Sequence, residues 1–244
     1  MDIKVKKRNG RLVDFAVGKI NERAQRACEE VEDVSASEIV LDAQLQLYDK
    51  IPTTEIDKAL ILSAREKIEK EPNYSYAAAS LLTNCIYKEV FKEGVDSDTF
   101  SLQYRKSFIQ NIKKLVKLNR LNPKLLDFDL KLLADAIKIR RDKSFKYLGI
   151  QTLHDRYFIR YENKIMEAPQ SFWMRVAMGL SINEKDKDKK AKSHDAGSME
   201  DYVFHTSQTS VDWVLSFDMH HLRLSAQCTY RRSCFSPVTK TEKR

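Results

Sequence analysis

Apolar residues recur at helical spacing through most of the chain between residues 17 and 182. In residues 17–31 this stripe consists of Ile20, Ala24, Ala27 and Val31. Positions three or four residues apart share one face of a helix, so the stripe predicts an amphipathic helix. Only six glycines and five prolines, the residues least favourable inside helices, occur in the 244 residues. The pattern therefore predicts a mainly α fold.

Turn and cap signals divide the helical pattern into separate segments. We expect helices at residues 17–31, 35–48, 52–64, 72–92, 100–118, 129–139 and 171–182. Ser35 is the expected N-cap of the second helix, with Glu38 three residues later in a capping-box pattern. Pro52 and the two threonines after it open the third helix.

The first fifteen residues predict a β-hairpin. Ile3 and Val5 alternate with lysines, and Asn9-Gly10 supplies the turn because both residues tolerate positive φ. A second hairpin is expected at residues 157–166, with Glu162 and Asn163 in its loop. The first hairpin and the helices after it predict a helical bundle capped by a small sheet.

A boundary is expected at residues 93–95, where Gly94 interrupts the helical pattern. We therefore expect a compact module at residues 1–94, a second helical domain at residues 95–192 and an atypical tail at residues 193–244. Lysine is absent from residues 193–239, and isoleucine and asparagine are absent from the whole tail.

The charge distribution does not indicate a surface that binds nucleic acid. The formal net charge is +8, but the basic residues are interleaved with acids at helical periods, as in residues 65–70. This pattern is typical of a solvated helix face, and a basic surface suits small polyphosphates as well. We expect no direct contact with nucleic acid.

Membrane and export signals are missing from the pattern. The longest apolar stretches, such as residues 176–180, fall well short of a membrane span, and residues 1–4 do not begin a signal peptide. The four cysteines are widely scattered, which indicates a reducing compartment rather than a disulfide framework. We expect a cytoplasmic protein without membrane contact.

Two groups of residues in the first module predict an anion site. At the tight turn of residues 6–10, basic side chains and backbone N–H groups can converge on an anion. At the start of the third helix, unpaired N–H groups and the helix dipole favour phosphate. From these residues alone a solvated edge strand, with lysines that discourage sheet pairing, stays an open alternative. The candidate residues are Lys6, Lys7, Arg8, Asn9, Gly10, Thr53 and Thr54.

The sequences Val-Lys-Lys-Arg-Asn-Gly at residues 5–10 and Ile-Pro-Thr-Thr-Glu-Ile at residues 51–56 resemble the ATP cone. This is the regulatory nucleotide-binding domain of ribonucleotide reductases and of a bacterial repressor of reductase genes. The resemblance covers about residues 4–93 and implies binding of ATP or dATP as allosteric effectors. It implies that Lys7 and Arg8 bind the phosphates. It also implies that Val5 packs against the adenine and that Thr53 lies next to the nucleotide. Lys88 matches a basic position on the last helix that can also face phosphate.

Two positions depart from the cone pattern. Val13 stands where many cones have an acid, and Asp57 stands where many have a histidine. These departures bear on base selection and on the number of nucleotides that the cone binds.

Four later segments, at residues 147–153, 155–157, 167–170 and 173–177, are similar to the N-terminal helical domain of the ribonucleotide reductase large subunit. This resemblance runs to about residue 190 and implies a class I-like enzyme. Such enzymes reduce ribonucleotides to deoxyribonucleotides for DNA synthesis, with a radical-generating small subunit and further large subunits as partners. The cone usually acts there by changing subunit assembly.

The resemblance implies that a ten-stranded barrel with the reactive cysteines follows the helical domain. A tail of about 50 residues cannot build such a barrel, and Cys228 and Cys234 stand outside the family's motif. Two hypotheses stay open: a truncated or frameshifted reductase subunit, and a free-standing nucleotide-sensing module. We expect nucleotide binding but no reductase activity, no catalytic residue and no metal in this chain.

Overall fold

The structure is a computed structural model that describes residues 4–91, 99–183, 185–188 and 191–192. Its elements in chain order are β1 (Lys4–Lys6), β2 (Leu12–Asp14), α1 (Val17–Cys28), α2 (Ala36–Gln44), β3 (Ile51–Pro52), α3 (Thr53–Glu66), α4 (Tyr74–Phe91), α5 (Phe100–Lys117), α6 (Leu130–Ala136), α7 (Tyr147–Thr152), β4 (Arg160–Tyr161), β5 (Lys164–Ile165) and α8 (Pro169–Leu180). The predicted mainly α fold is confirmed.

The chain divides into two compact units. Among the residues that the structure describes, the first unit comprises residues 4–87 and 142–157, and the second lies within residues 88–141 and 158–192. The division therefore falls inside α4. The predicted boundary at residues 93–95 lies outside the described residues, as does the tail at residues 193–244.

The sheet of the first unit has the strand order β2-β1-β3. β1 pairs with β2 in antiparallel fashion, Val5 opposite Val13, which confirms the predicted hairpin. β1 also pairs with β3 in parallel, Val5 opposite Ile51. Because β3 has only two residues, it shows no alternation of apolar and polar residues in the sequence, and the pattern placed no strand there.

The turn of this hairpin differs from the predicted one. The Gly10 N–H donates to the Lys7 carbonyl at 2.8 Å, and Gly10 has φ +84°. Asn9 is absent from the residues with positive φ, and its side chain instead accepts from the Arg11 N–H at 3.1 Å. A four-residue turn followed by a glycine bulge therefore replaces the two-residue Asn-Gly turn.

The helices of the first unit bury most of the predicted stripes, but Val31 lies beyond the end of α1 and is half-buried. Ile20, Ala24 and Ala27 of α1 are at most 4% exposed. On α3, Leu60 and Ala64 are buried, and the Ser63 hydroxyl donates to the Ile39 carbonyl of α2 at 2.8 Å. The apolar faces of these helices form the core beneath the sheet.

The predicted cap of α2 is present in part. Ser35 Oγ accepts from the Glu38 N–H at 3.3 Å, but the Ser35 N–H donates to the Tyr74 hydroxyl rather than to Glu38. The Glu38 carboxylate is 3.3 Å from Lys67 Nζ, which also contacts Asp42 at 2.7 Å. The hydrogen bond to Asp42 is the main cause of the raised pKa of Lys67.

Residues 142–157 pack within the first unit through polar contacts. The Tyr87 hydroxyl donates to Asp142, which is 5% exposed. The Tyr147 N–H donates to Ser75 Oγ at 3.0 Å. The segment contains α7 and a short π-helical turn at Leu153–Tyr157, neither of which the sequence pattern predicted.

The second unit has its own core around α5 and α8. Tyr104, Phe108 and Leu115 of α5 are at most 1% exposed, and Arg175 of α8 is buried in an ion pair with Glu167. The predicted second hairpin is confirmed as β4–β5, and Glu162 and Asn163 of its loop have φ of 49° and 60°. Across the residues that the structure describes, no helix is both long and apolar enough to cross a membrane.

Candidate nucleotide-binding site

The hairpin turn and the start of α3 lie at one edge of the three-stranded sheet. β1 and β3 are parallel neighbours, with Lys6 opposite Pro52. Parallel strands end at the same edge of a sheet, so the residues that follow the two strands emerge side by side. Lys7 follows β1 and Thr53 follows β3, so two segments distant in sequence meet at this edge.

The basic residues of the turn face solvent. Lys6, Lys7 and Arg8 are exposed, as are Asn9 and Gly10, whereas Val5 is 4% exposed and belongs to the core. Alternation along β1 accounts for this difference, because successive side chains of a strand point to opposite faces. The turn therefore presents cations to solvent while Val5 anchors the strand.

The N-terminus of α3 lacks a side-chain cap. Its N-cap is Pro52, which has no side-chain hydrogen-bond acceptor, and Thr53 and Thr54 are the first two helical residues. Thr53 is half-buried and Thr54 is exposed. An uncapped first turn exposes the positive end of the helix dipole, which favours an anionic group there.

Glu55, the acid in this first turn, has a tyrosine as its hydrogen-bond partner. The Tyr48 hydroxyl donates to the Glu55 carboxylate at 2.5 Å, and this hydrogen bond is the main reason why the pKa of Tyr48 is raised. Tyr48 is 52% exposed, so the pair lies at the surface beside the start of α3.

A buried acid lies one turn further along α3. Asp57 is 6% exposed, and the Arg23 Nη1 of α1 donates to its Oδ1 at 2.5 Å. The Arg8 Nη2 lies 3.7 Å from Asp57 Oδ2, which brings the hairpin turn close to α3. Asp57 is one of the two positions that depart from the cone pattern, and the structure gives it two arginine partners.

Sequence reasoning missed Arg23. The available signal was its spacing, since Arg23 follows Ile20 by three positions and precedes the buried Ala24. A charged residue at the border of an apolar stripe indicates a partner on the packed neighbour. The sequence alone did not identify that partner as Asp57.

Lys88 lies near the C-terminal end of α4 and is partly buried. It falls in the second unit, whereas the turn and α3 fall in the first. Its contact with a nucleotide stays a prediction. A group of three or more metal-ligating side chains is not found among the residues with described placement.

Comparison with known proteins identifies both parts of the chain. Residues 3–89 match the ATP cone domain, and residues 143–216 match the ribonucleotide reductase all-alpha domain. The chain belongs to the ribonucleoside-diphosphate reductase alpha-subunit family and corresponds to the N-terminal region of its members. The second match continues to residue 216, past the change in composition after Lys192. The hypothesis of an out-of-frame tail stays a hypothesis.

Similar proteins are alpha subunits of bacterial ribonucleoside-diphosphate reductases. That of Chlamydia pneumoniae is 36% identical over 184 residues, which are 75% of this chain and 18% of the relative. That of Chlamydia trachomatis is 42% identical over 164 residues, 66% of this chain and 16% of the relative. That of Helicobacter pylori strain 26695 is 37% identical over 189 residues, 77% of this chain and 23% of the relative. The chain thus spans less than a quarter of the length of these relatives.

Proposed function

We propose that the ATP cone of this chain binds ATP or dATP as an allosteric effector at the sheet edge where the hairpin turn meets α3. The observation that carries this proposal is the parallel pairing of β1 with β3, which sets exposed Lys7 and Arg8 beside the uncapped first turn of α3. Cationic side chains and a helix N-terminus together provide charge-assisted hydrogen bonds to a polyphosphate.

Each predicted residue has a distinct role in this proposal. Lys7 and Arg8 bind the phosphates, since their side chains are exposed at the turn. Thr53 and Thr54 offer hydroxyl and backbone donors at the start of α3. Lys6, Asn9 and Gly10 shape the turn, and Val5 supports the adenine side from the core. The phosphate contact that the resemblance implies for Lys88 stays a prediction.

At the level of the parent enzyme, we propose that the effector regulates the reduction of ribonucleotides to deoxyribonucleotides. The relatives are named as ribonucleoside-diphosphate reductase alpha subunits, which supports this activity for a protein that contains this region. A radical-generating small subunit and further alpha subunits are the proposed partners, and the cytoplasm is the proposed compartment.

The test of the nucleotide site is charge reversal at the turn. Lys7→Glu removes a phosphate contact and adds repulsion, so the affinity of the full chain for dATP should fall by more than about tenfold. Isothermal titration calorimetry at fixed ionic strength measures the change.

Lys70→Glu provides the matched control, because it changes the net charge by the same amount. Lys70 is exposed and follows the C-terminal end of α3, a 14-residue helix about 21 Å long, so it lies far from the turn. We expect its dATP affinity to stay within about twofold of the unsubstituted chain, since screening weakens charge effects at that distance. Equal affinities for Lys7→Glu and Lys70→Glu would refute the assigned pocket.

A further inference from the structure

The proposed nucleotide site has an acid in its wall. Asp57 lies one turn from the start of α3, where the phosphates of the effector would bind, and it is 6% exposed. A buried carboxylate is stable only when cations or hydrogen-bond donors compensate its charge. A carboxylate beside a polyphosphate would also repel the ligand and compete with it for cations.

Arg23 compensates this carboxylate at short range. Its Nη1 donates to Asp57 Oδ1 at 2.5 Å, and its side chain is 35% exposed. A charge-assisted hydrogen bond between a guanidinium and a carboxylate is among the stronger polar contacts in proteins. Arg23 reaches Asp57 from α1, so it neutralises the acid without belonging to the hairpin turn.

Arg8 interacts with the same carboxylate more loosely. Its Nη2 lies 3.7 Å from Asp57 Oδ2, which is beyond hydrogen-bond distance, and its side chain is 40% exposed. An exposed ion pair at this distance is weak and easily exchanged for another anion. The same carboxylate thus makes a close contact with one arginine and a loose contact with the other.

We infer that Arg23 is a positioning residue of the nucleotide site, which keeps Arg8 available for the effector's phosphates by hydrogen bonding Asp57. The inference rests on the proposed nucleotide binding. Without Arg23, Asp57 would take Arg8 as its close partner, and the turn would lose a phosphate-binding cation. Arg23 thus acts through Asp57 and Arg8, with no contact to the nucleotide of its own.

Three variants of the full chain test this arrangement by dATP titration calorimetry. Arg23→Gln should weaken binding by about tenfold, because Asp57 captures Arg8. Asp57→Asn should strengthen binding by about threefold, because it frees Arg8 and removes a repulsive charge. The double variant should return to within about threefold of the unsubstituted chain, since the competing carboxylate is gone.

The recovery in the double variant separates this role from the alternatives. If Arg23 bound phosphate directly, the double variant would stay as weak as Arg23→Gln, and the inference would be wrong. If Asp57 instead held Arg8 in its binding position, Asp57→Asn would weaken binding, which would also overturn it. Even if Arg23→Gln does not fold, Asp57→Asn tests the inference, because it shows whether loss of the carboxylate strengthens or weakens dATP binding. Thermal unfolding followed by circular dichroism identifies variants that are not folded.

Failure of the inference is distinguishable from failure of the proposed function. If the unsubstituted chain shows no dATP binding, the nucleotide site itself is wrong. If it binds dATP and Arg23→Gln binds equally well, the site stands and the positioning role of Arg23 is wrong.

Discussion

At the scale of single residues, the thiol of Cys28 shows how the fold alters chemistry away from the nucleotide site. Cys28 is the last residue of α1, and burial raises its pKa from 9.0 to about 11. Burial disfavours the charged thiolate, which is the reactive form. Because the pKa of the Cys28 thiol is higher in the folded chain than in the unfolded chain, its stabilising contribution to folding is fully present below pH 9. It is lost as the pH rises through about 11.

We predict slow alkylation of Cys28 in the folded chain. At pH 7.5 the shift lowers the thiolate fraction about hundredfold, and the greater nucleophilicity of a high-pKa thiolate recovers about tenfold of this. The net rate with iodoacetamide should therefore be about tenfold lower than in the chain unfolded in urea. Mass spectrometry of the peptide that contains Cys28 measures both rates, and equal rates would contradict the raised pKa of this half-buried thiol.

The arginine pair on Asp57 belongs to the same scale, and the sequence did not predict it. The resemblance to the ATP cone marked Asp57 as a departure and implied that Arg8 holds phosphates. It did not join either residue to Arg23, because the contact links positions 34 residues apart on two helices. Local spacing shows which side chains border a buried stripe, whereas the partner depends on how the helices pack.

At the scale of secondary structure, the hairpin turn depends on one glycine. Gly10 has φ +84°, a conformation that a residue with a Cβ rarely adopts, but a Cβ there would meet no atom within 4 Å. Gly18, near the start of α1, also leaves open space for a Cβ and has no positive φ. The two glycines therefore differ in backbone conformation but not in the space available.

This difference gives a matched pair of substitutions. Gly10→Ala should lower the free energy of unfolding by about 1 kcal/mol through backbone strain. Gly18→Ala should raise it by about 0.5 kcal/mol, because alanine is favoured in a helix and loses less entropy on folding. Urea unfolding followed by circular dichroism compares the two, and a stabilising Gly10→Ala would contradict the turn geometry.

Sequence patterns predicted the long helices and both hairpins but missed the short elements α7 and β3, for a physical reason. A stripe such as that of α1 repeats over several turns, so its period can be read directly. β3 has two residues, one of them a proline, and shows no period at all. β3 nevertheless determines where the proposed site lies, because its pairing with β1 brings the start of α3 to the hairpin turn.

At the scale of the whole molecule, the resemblance to known families answered the question of family that the residue patterns left open. The basic turn alone is also consistent with a solvated edge strand. The matches to an ATP cone at residues 3–89 and to reductase helices at residues 143–216 confirm the family and the order of its parts. The positions of the nucleotide-binding side chains within the cone stay a proposal.

The central claim is that the effector binds where the turn after β1 meets the first turn of α3. Hydrogen exchange with mass spectrometry on the full chain, with and without saturating dATP, tests it most directly. We predict slower exchange in residues 7–11 and 53–57, and unchanged exchange in the β4–β5 hairpin of the second unit. Bound dATP that protects other residues and leaves both segments unchanged would contradict the assigned site.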